Sequence, residues 1–482
     1  MFKKLNSPID MTQGKPWKSI VQFTVPMLIG NVAQQLYSTV DSIVVGNYVP
    51  NVTNDKMGTD ALASIGLVMP IVNLLLVLFV GISAGASIMV SQYFGAKDRE
   101  SLSKTIGNCI TATLFACVAL VAIALPVLRP LLKVLNTPPE IFEWSVQYLT
   151  ISIIGIAGLG YYNILSGIIR GLGDSFSALV YLLVACVINI VLDIYFVKEF
   201  SMGVAGVALA TVISQFISAI LCFIKLSKMK DYFDFGLKYM KPESKYIKTV
   251  VRLGLPSGLT QAIFSSAMIV VQSLTNQFGA AFIAANVIVM RVDGFAMMPN
   301  FSFGMALTTY SGQNVGANRY DRVIQGAKQG TLMALGCSAF ITCIILFFGK
   351  HLMHLFTSDV SVITMSNNLM KILAVGYIAM AVTQSLSGIM RGAGDTMTPM
   401  WISLITSVAI RVPLAYGIAY FTARPEAVAM GLPASFGKID LSLGMKECIQ
   451  ISLLTTWVMG AIFTFIFYSK GKWKTKAISK TQ

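Results

Sequence analysis

The chain has 482 residues, of which 55% are hydrophobic and only 12% are charged. A soluble domain usually carries roughly a quarter charged residues, and a soluble protein of this size needs far more polar surface to cover its core. The composition therefore excludes a soluble enzyme, a disordered chain and a nucleic-acid-binding domain, although the net charge is +15. We predict an all-α polytopic membrane protein that lies in the lipid bilayer and binds no nucleic acid.

Twelve apolar runs follow one another along the chain, and a membrane helix needs about 20 mostly apolar residues. These runs leave no room for a soluble domain and predict twelve transmembrane spans. In chain order, spans one to twelve are predicted at 18–48, 60–90, 105–130, 141–169, 175–197, 203–227, 247–276, 280–310, 324–349, 361–390, 396–421 and 446–469.

The connections between these spans differ in positive charge. Of the 36 Lys and Arg residues, 25 fall at the two termini and near the even-numbered connections, whereas 8 fall on the other side. Cytoplasmic loops carry the excess of Lys and Arg. We therefore predict a multi-pass protein of the cell (inner) membrane with both termini in the cytoplasm.

The sequence contains an internal repeat. Residues 165–174 have the sequence LSGIIRGLGD and residues 386–395 have LSGIMRGAGD, which are identical at eight of ten positions. Six spans are thus repeated as another six in the same orientation, an arrangement found in transporters whose substrate cavity lies between the halves. The predicted parts are an N-terminal lobe with spans one to six at 1–230, a cytoplasmic linker at 231–246 and a C-terminal lobe with spans seven to twelve at 247–482.

Each copy of the repeated motif has an arginine and, four residues later, an aspartate. The glycines between them permit a tight turn on the cytoplasmic side. We predict that Arg170 pairs with Asp174 across this turn, and Arg391 with Asp395. A glycine-rich pentapeptide without a preceding strand is weak evidence for a nucleotide site, so the motif is interpreted as structural.

Span one carries a carboxyl side chain within the membrane. Ionisable residues inside spans are costly and mark ion or substrate paths. Asp41 follows Tyr37 by four residues and Gln34 by seven, and such spacings place the three on one face of a helix. We predict Asp41 and Tyr37 as members of a cation-coupling site, and Gln34 as a residue of the adjoining cavity.

Spans five and six add further oxygen atoms to this predicted site. Asn189 and Asp193 are four residues apart in span five, and Thr211 lies in span six. Sodium prefers several oxygen ligands, which Asp41, Asn189, Asp193 and Thr211 provide, whereas the carboxylates alone suit a proton. The sequence leaves the coupling ion open. The positions aligned with both aspartates in the second half are apolar, which favours a site in the N-terminal lobe alone.

The second half has its own ionisable residues within spans. Arg291 and Asp293 are two residues apart and do not share a helical face. Each therefore needs another partner, and we predict first an intrahelical structural network and second a contact between Arg291 and substrate. Arg411 has no acidic neighbour in sequence and points to a wet cavity. His351 and His354 lack an acidic or thiol partner nearby, which makes a metal site or a membrane-embedded enzyme the weaker alternative.

Three stretches, taken in order, resemble the multidrug and toxic compound extrusion (MATE) transporters. They are PMLIGNVAQQLYSTVD at 26–41, QYFGA at 92–96 and the duplicated SGxxRGxGD motif. The resemblance covers essentially the whole chain. It implies two six-helix lobes that form a V-shaped cavity, and secondary active multidrug efflux in exchange for protons or sodium ions, by alternating access and without another cofactor.

The resemblance also implies roles for single residues. In the prokaryotic branch whose cation site lies in the N-terminal lobe, the pattern matches the five predicted coupling residues. Tyr148 is similar to a further cavity tyrosine of that branch, and Pro26 to its hinge in span one. Other MATE proteins have an acid pair on spans seven and ten. The membrane portions of those spans have no acid here, so a cation site in the C-terminal lobe is not expected.

The partners implied by this family are small lipophilic cations or zwitterions and the lipid bilayer, and we expect a monomer. A lipid-linked oligosaccharide flippase of the same superfamily is the main alternative. Such flippases tend to have cationic cavities, and only Arg291, Lys371 and Arg411 lie within spans here. Neither the exported compound nor the coupling ion follows from the sequence.

Overall fold

The computed structural model describes residues 8–49, 59–433, 435 and 439–478, without the side chains at 37–39, 41–43, 45–48 and 59. The described chain is built of helices, so the all-α prediction is confirmed. Its first half contains α1 (Pro16–Tyr48), α2 (Thr59–Ala96), α3 (Arg99–Val134), α4 (Pro139–Ile154), α5 (Ile156–Gly171), α6 (Ser175–Ile194), a π-helical turn (Tyr195–Glu199) and α7 (Gly203–Ser227).

The second half repeats this succession of long helices. It contains α8 (Ser244–Thr275), α9 (Ala280–Gly316), α10 (Tyr320–His354), α11 (Val360–Gly392), α12 (Met397–Leu404), a π-helical turn (Ile405–Ile410), α13 (Arg411–Ala429) and α14 (Cys448–Ser469).

Ten helices of the described chain are long and apolar enough to cross a membrane, counting α12 to α13 as one, and the bent pair α4–α5 makes an eleventh candidate. This pair corresponds to the predicted span four. The helix at the predicted span one, α1, is not among these candidates. Its middle carries the polar residues Asn31, Gln34, Gln35 and Asp41, which lower its mean hydropathy.

A bend of 47° separates α4 from α5 at Gly155. A Cβ atom on this glycine would lie 2.3 Å from Cγ2 of Val212 on α7. The missing side chain therefore allows α7 to approach the bend closely, and this contact fixes the position of α7 beside α4.

The hydrophobic clusters do not follow the division into two halves. Phe23 and Met27 of α1 are buried in one cluster with Phe303 and Tyr310 of α9. Residues near the start of α8, including Val250, are buried in the main cluster of the first half. The first helix of each half thus packs at its beginning on the opposite half.

The connection between the halves lies against the start of α3. The Arg99 guanidinium donates to Oδ1 of Asp234, with Nη2 at 2.7 Å, and to the carbonyl oxygens of Lys230 and Asp231. These hydrogen bonds hold the pKa of the Asp234 carboxyl below its usual range. The predicted linker region is therefore fastened to the first half at this point.

Candidate functional site

A buried polar group lies between α6 and α7 in the first half. Asn189 and Asp193 are fully buried on α6, and Thr211 is half-buried on α7. The Asn189 side chain donates from Nδ2 to Oγ1 of Thr211 at 3.4 Å. The structure thus brings Asn189 and Thr211 together, and Asp193 follows Asn189 by about one helical turn.

The two predicted site residues of α1, Tyr37 and Asp41, have side chains that lie outside the described residues. Their backbone belongs to α1, which packs along α6. Both helices start at the same end of the molecule, because Ile9, shortly before α1, donates its N–H to the carbonyl oxygen of Gly173, shortly before α6. The two helices therefore run parallel.

The register between these helices follows from one close approach. A Cβ atom on Gly30 of α1 would lie 3.5 Å from the side chain of Leu182 on α6. Position 41 lies eleven residues after Gly30, and Asp193 lies eleven residues after Leu182. Eleven residues make about three turns of an α-helix. The same Cβ atom would also lie 3.5 Å from the side chain of Leu179, so the two positions lie within about one helical turn of each other along the facing helices.

Tyr148, the predicted cavity tyrosine, lies on α4 and is buried. It belongs to the same hydrophobic cluster as Val44 of α1 and Ala208 of α7. Val44 comes three residues after position 41, and Ala208 three residues before Thr211. Tyr148 is therefore packed in the layer of the molecule that contains the polar group.

Three other predicted residues lie elsewhere. Gln34 is exposed on α1, and Pro26 is buried inside α1. Near this proline, Asn31 donates from Nδ2 to Oγ of Ser302 on α9 at 3.0 Å, which joins α1 to the second half. Arg291 is exposed on α9 and does not belong to the polar group of the first half.

The partners of Asp293 lie on other helices, so the intrahelical network that the sequence favoured is wrong for this residue. The Tyr377 hydroxyl donates to Oδ1 of Asp293 at 2.9 Å, and the Tyr377 ring packs on Trp457 with centroids 5.6 Å apart. The buried Arg411 attracts the Asp293 carboxyl electrostatically. One feature of the sequence indicated this network: Asp293 lies within a predicted span and has no acidic or basic neighbour on its helical face.

The pairing predicted within each copy of the motif is wrong for Asp174. Its side chain accepts a hydrogen bond from the N–H of Ser177 at 2.9 Å and pairs with Nζ of Lys225 at 3.1 Å. Arg170 instead donates to Oγ of Ser166 at 3.2 Å. The aspartate is the N-cap of α6, and this position turns its carboxylate away from the preceding arginine.

The second copy behaves in the same way. Asp395 accepts hydrogen bonds from the N–H of Thr398 at 3.2 Å and from its hydroxyl at 2.8 Å. Among the described residues, no ion pair joins Asp395 to Arg391. The pairing predicted for this copy is therefore wrong as well, for the same reason of capping.

The two repeated turns are held by glutamines from the opposite half. Gln92 of α2 donates from Nε2 to the carbonyl oxygen of Gly392 at 2.8 Å, and Gln313 of α9 donates to that of Gly171 at 3.4 Å. We call this pair of contacts the crossed clamp. Gln92 and Gln313 occupy equivalent positions in the two halves of the repeat. This equivalence did not indicate that each side chain bonds the turn of the opposite half.

The chain termini complete the crossed clamp. The N–H of Met11 donates to Oε1 of Gln313 at 2.9 Å, and the N–H of Ile478 donates to Oε1 of Gln92 at 2.8 Å. Each glutamine side chain therefore joins a turn of the opposite half to a terminal segment. On the orientation predicted from Lys and Arg, this end of the molecule faces the cytoplasm.

Comparison with known proteins agrees with this architecture. The model of the MatE family matches residues 26–195 and again residues 256–417, so its two copies begin at Pro26 and Pro256. The probable multidrug resistance protein YoeA of Bacillus subtilis is 28% identical, over 89% of this chain and 93% of its own length. YpnP of the same organism, which bears the same description, is 28% identical over 96% of this chain and 97% of its own.

The fold is also that of solved structures. The outward-facing conformation of a multidrug resistance MATE family transporter of the MOP superfamily superimposes with a TM-score of 0.85, at 22% identity, over 96% of this chain and 98% of that chain. At this identity the likeness concerns the fold alone. The family model, by contrast, matches well over half of the sequence. The chain therefore belongs to the MatE family and is a MATE transporter rather than an enzyme.

Proposed function

We propose that this transporter is a secondary active multidrug efflux pump, which exports lipophilic cations or zwitterions in exchange for protons or sodium ions. The descriptions of its relatives as probable multidrug resistance proteins support this substrate class. The observation that carries the proposal is the buried polar group of Asn189, Asp193 and Thr211 in a segment that crosses a membrane. Intramembrane groups of this kind mark ion or substrate paths.

The coupling site includes Asp41 and Tyr37 of α1. The contact of Gly30 with Leu179 and Leu182 supports this assignment, because it puts positions 41 and 193 within about one helical turn of each other on facing helices. Two carboxylates in a pocket of low dielectric resist joint ionisation. A proton or a sodium ion that binds between them relieves the repulsion, and Asn189 and Thr211 supply further oxygen ligands for sodium.

The helix α1 is the first of twelve spans, in two six-helix lobes with a V-shaped cavity and cytoplasmic termini. With 33 residues, it is about 50 Å long at 1.5 Å per residue, more than the roughly 30 Å of the bilayer core. Its polar residues fit a helix that lines a cavity. Pro26 deprives α1 of one helical hydrogen bond and acts as its hinge. The transporter works as a monomer.

Cation binding drives export only if the ion has different affinities for the two arrangements of the lobes. Charge neutralisation at Asp41 and Asp193 provides such a difference when α1 approaches α6 in one arrangement and leaves it in the other. The substrate cation is attracted to the same carboxylates, and this attraction is strong at low dielectric. Ion and substrate therefore compete for one group of charges.

Transport in proteoliposomes tests this coupling. The purified protein is reconstituted, a proton gradient and a sodium gradient are imposed separately, and export of an ethidium-like dye is followed. We expect Asp41→Asn and Asp193→Asn to fold but to lose gradient-driven export, because a neutral amide no longer exchanges a cation. Normal export by Asp41→Asn at normal expression would overturn the proposed site.

Asp293→Asn is the matched control, because it also removes an intramembrane carboxylate. This aspartate accepts a hydrogen bond from Tyr377 and is attracted by Arg411 in the second half, so we expect lower protein yield but normal export per molecule. Translocation of a lipid-linked oligosaccharide by the same vesicles, without dye export, would instead favour the flippase alternative.

A further inference from the structure

A cavity lies within the second half, between α8, α11, α12 and α14. Its volume is about 40 Å³, roughly three times what one water molecule requires. Thr383, Gln384 and Arg391 of α11 line it on one side, and Ser403 and Trp457 on the other. It is therefore large enough for a carboxylate or phosphate group, but not for a whole drug molecule.

One face of α11 supplies polar groups to this cavity. Gln384, Ser387 and Arg391 follow one another at intervals of three and four residues, which places them in one row along the helix. Arg391 and Gln384 are half-buried, and Ser387 is buried. Among the described residues, the Arg391 guanidinium has neither a hydrogen-bond partner nor an ion-pair partner. A guanidinium carries five N–H donors, so its partial burial without partners is unfavourable in free energy.

The repeat provides an internal comparison for this arginine. Its counterpart Arg170 donates to Oγ of Ser166 at 3.2 Å and interacts electrostatically with the Tyr162 phenol group. The residue aligned with Tyr162 in the second half is Thr383, and the residue aligned with Tyr181 is Ile402. Two phenol side chains of the first half are thus replaced by smaller ones, and both replacements line the cavity.

We propose that this cavity is an anion subsite, in which Arg391 binds a carboxylate or phosphate group. Arginine suits such groups because its planar fork donates two parallel hydrogen bonds to them. The hydroxyl of Ser387 and the amide of Gln384 supply further polar contacts. Asp293 accepts a hydrogen bond from Tyr377 and is attracted by Arg411, and Asp395 is hydrogen-bonded to Thr398, so neither carboxyl group forms an ion pair with Arg391.

The subsite gives the two halves opposite charge preferences. Asp193 lies nineteen residues after the Asp174 cap of α6, about 28 Å along the helix, whereas Arg391 lies beside the repeated turn. A zwitterion therefore meets the carboxylates of the first half with its cationic group and Arg391 with its anionic group in succession. This inference rests on the proposed function, because it narrows the substrate class from cations in general to zwitterions with a carboxylate. The phosphate of an anionic lipid is the other source of the same chemistry.

Binding measurements on the full-length protein in nanodiscs test the subsite. The probes are norfloxacin and its methyl ester, which differ in the carboxylate, and Trp457 fluorescence reports occupancy with Trp457→Phe as the blank. We expect the acid to bind about tenfold more tightly than the ester, because only the carboxylate accepts charge-assisted hydrogen bonds from the Arg391 guanidinium. Arg391→Gln should abolish this preference without weakening the ester.

Two further variants test the subsite independently of whether Arg391→Gln folds. Thr383→Tyr keeps the arginine but introduces the residue of the first half, and it should abolish the preference by filling the cavity. Lys371→Gln removes an exposed charge from the same helix and should leave the preference unchanged. Equal binding of acid and ester by the unaltered protein would overturn the subsite alone, whereas no binding of either probe would overturn the proposed substrate class as well.

Nanodisc composition separates the two sources of the anion. In discs of phosphatidylcholine alone, a substrate subsite gives the full preference for norfloxacin over its ester. If lipid phosphate occupies the subsite, the preference for norfloxacin over its ester falls when phosphatidylglycerol is added. The protein then also retains this lipid during purification, and Arg391→Gln loses it. Lipid retention that is unchanged in Arg391→Gln, together with equal probe binding, would refute both.

Discussion

At the scale of single residues, two glycines determine how closely the halves approach each other. A Cβ atom on Gly95 of α2 would lie 1.9 Å from the carbonyl oxygen of Gln313, and one on Gly316 of α9 would lie 1.9 Å from that of Gln92. Because backbone lies on both sides of these contacts, a methyl group has no flexible neighbour to displace. The crossed clamp thus depends on the absence of two side chains.

We predict that Gly95→Ala and Gly316→Ala each destabilise the protein. The expected loss is about 1–3 kcal/mol, the usual cost of forcing an extra group into a packed contact. Thermal unfolding in detergent, followed by tryptophan fluorescence, measures it as a lowered midpoint. Gly336→Ala on α10 is the control, because a Cβ there meets no atom within 4 Å. Equal midpoints for all three variants would contradict the close packing of the clamp.

The bend between α4 and α5 is the feature that decides packing at the scale of elements. Gly155→Ala should destabilise the first half, because the new methyl group overlaps the Val212 side chain of α7. Val212→Ala removes the opposing atoms, so we expect the double variant to recover part of the loss, with a coupling energy of about 0.5–3 kcal/mol. Simple additivity in the double-mutant cycle would show that the contact does not set the bend.

The segment before α1 is a second element-scale feature. Arg322 of α10 is buried and donates to the carbonyl oxygens of Met11, Gln13 and Gly14 at 3.0–3.2 Å. Three hydrogen bonds from one charged group fasten this segment to the second half. Arg319 donates a single bond to the carbonyl oxygen of Thr12 at 3.0 Å.

Removal of these bonds should expose the segment. In a background without the native cysteines, Thr12→Cys reports access, because Thr12 is 8% exposed. We expect Arg322→Gln to raise the rate of maleimide labelling at position 12 by about tenfold or more. The reason is that each hydrogen bond from a charged donor contributes roughly 1.5–3 kcal/mol. Arg319→Gln should have a smaller effect. An unchanged rate in Arg322→Gln would argue against this fastening.

The whole molecule shows which features a sequence encodes locally. Helices and the repeat were predictable, because an apolar run and a duplicated motif are properties of neighbouring residues. Contacts between distant residues were not. Asp174 was predicted to bond Arg170, yet it bonds Lys225 on α7, and the space beside Arg391 results from Thr383 and Ile402 on two helices. The role of Asp41 stays a prediction.

Orientation in the membrane is a whole-molecule property that the Lys and Arg bias predicts. Cysteine at position 54, which lies outside the described residues, should react with an impermeant maleimide in intact cells, because the Lys and Arg bias predicts that this connection lies outside the cell. Cysteine in place of Lys241 should react only after the membrane is permeabilised. The reverse pattern would refute the twelve-span arrangement with cytoplasmic termini.

The crossed clamp has a consequence for the ancestry of the chain. Gln92 of the first half bonds the turn of the second half, and Gln313 of the second half bonds the turn of the first. Each half therefore donates the same hydrogen bond that it accepts. Such an exchange between equivalent surfaces is the isologous contact of a dimer with twofold symmetry. An unduplicated chain with one such glutamine and one such turn would complete the clamp only by pairing with a second copy, and fusion of two copies would make that partnership permanent.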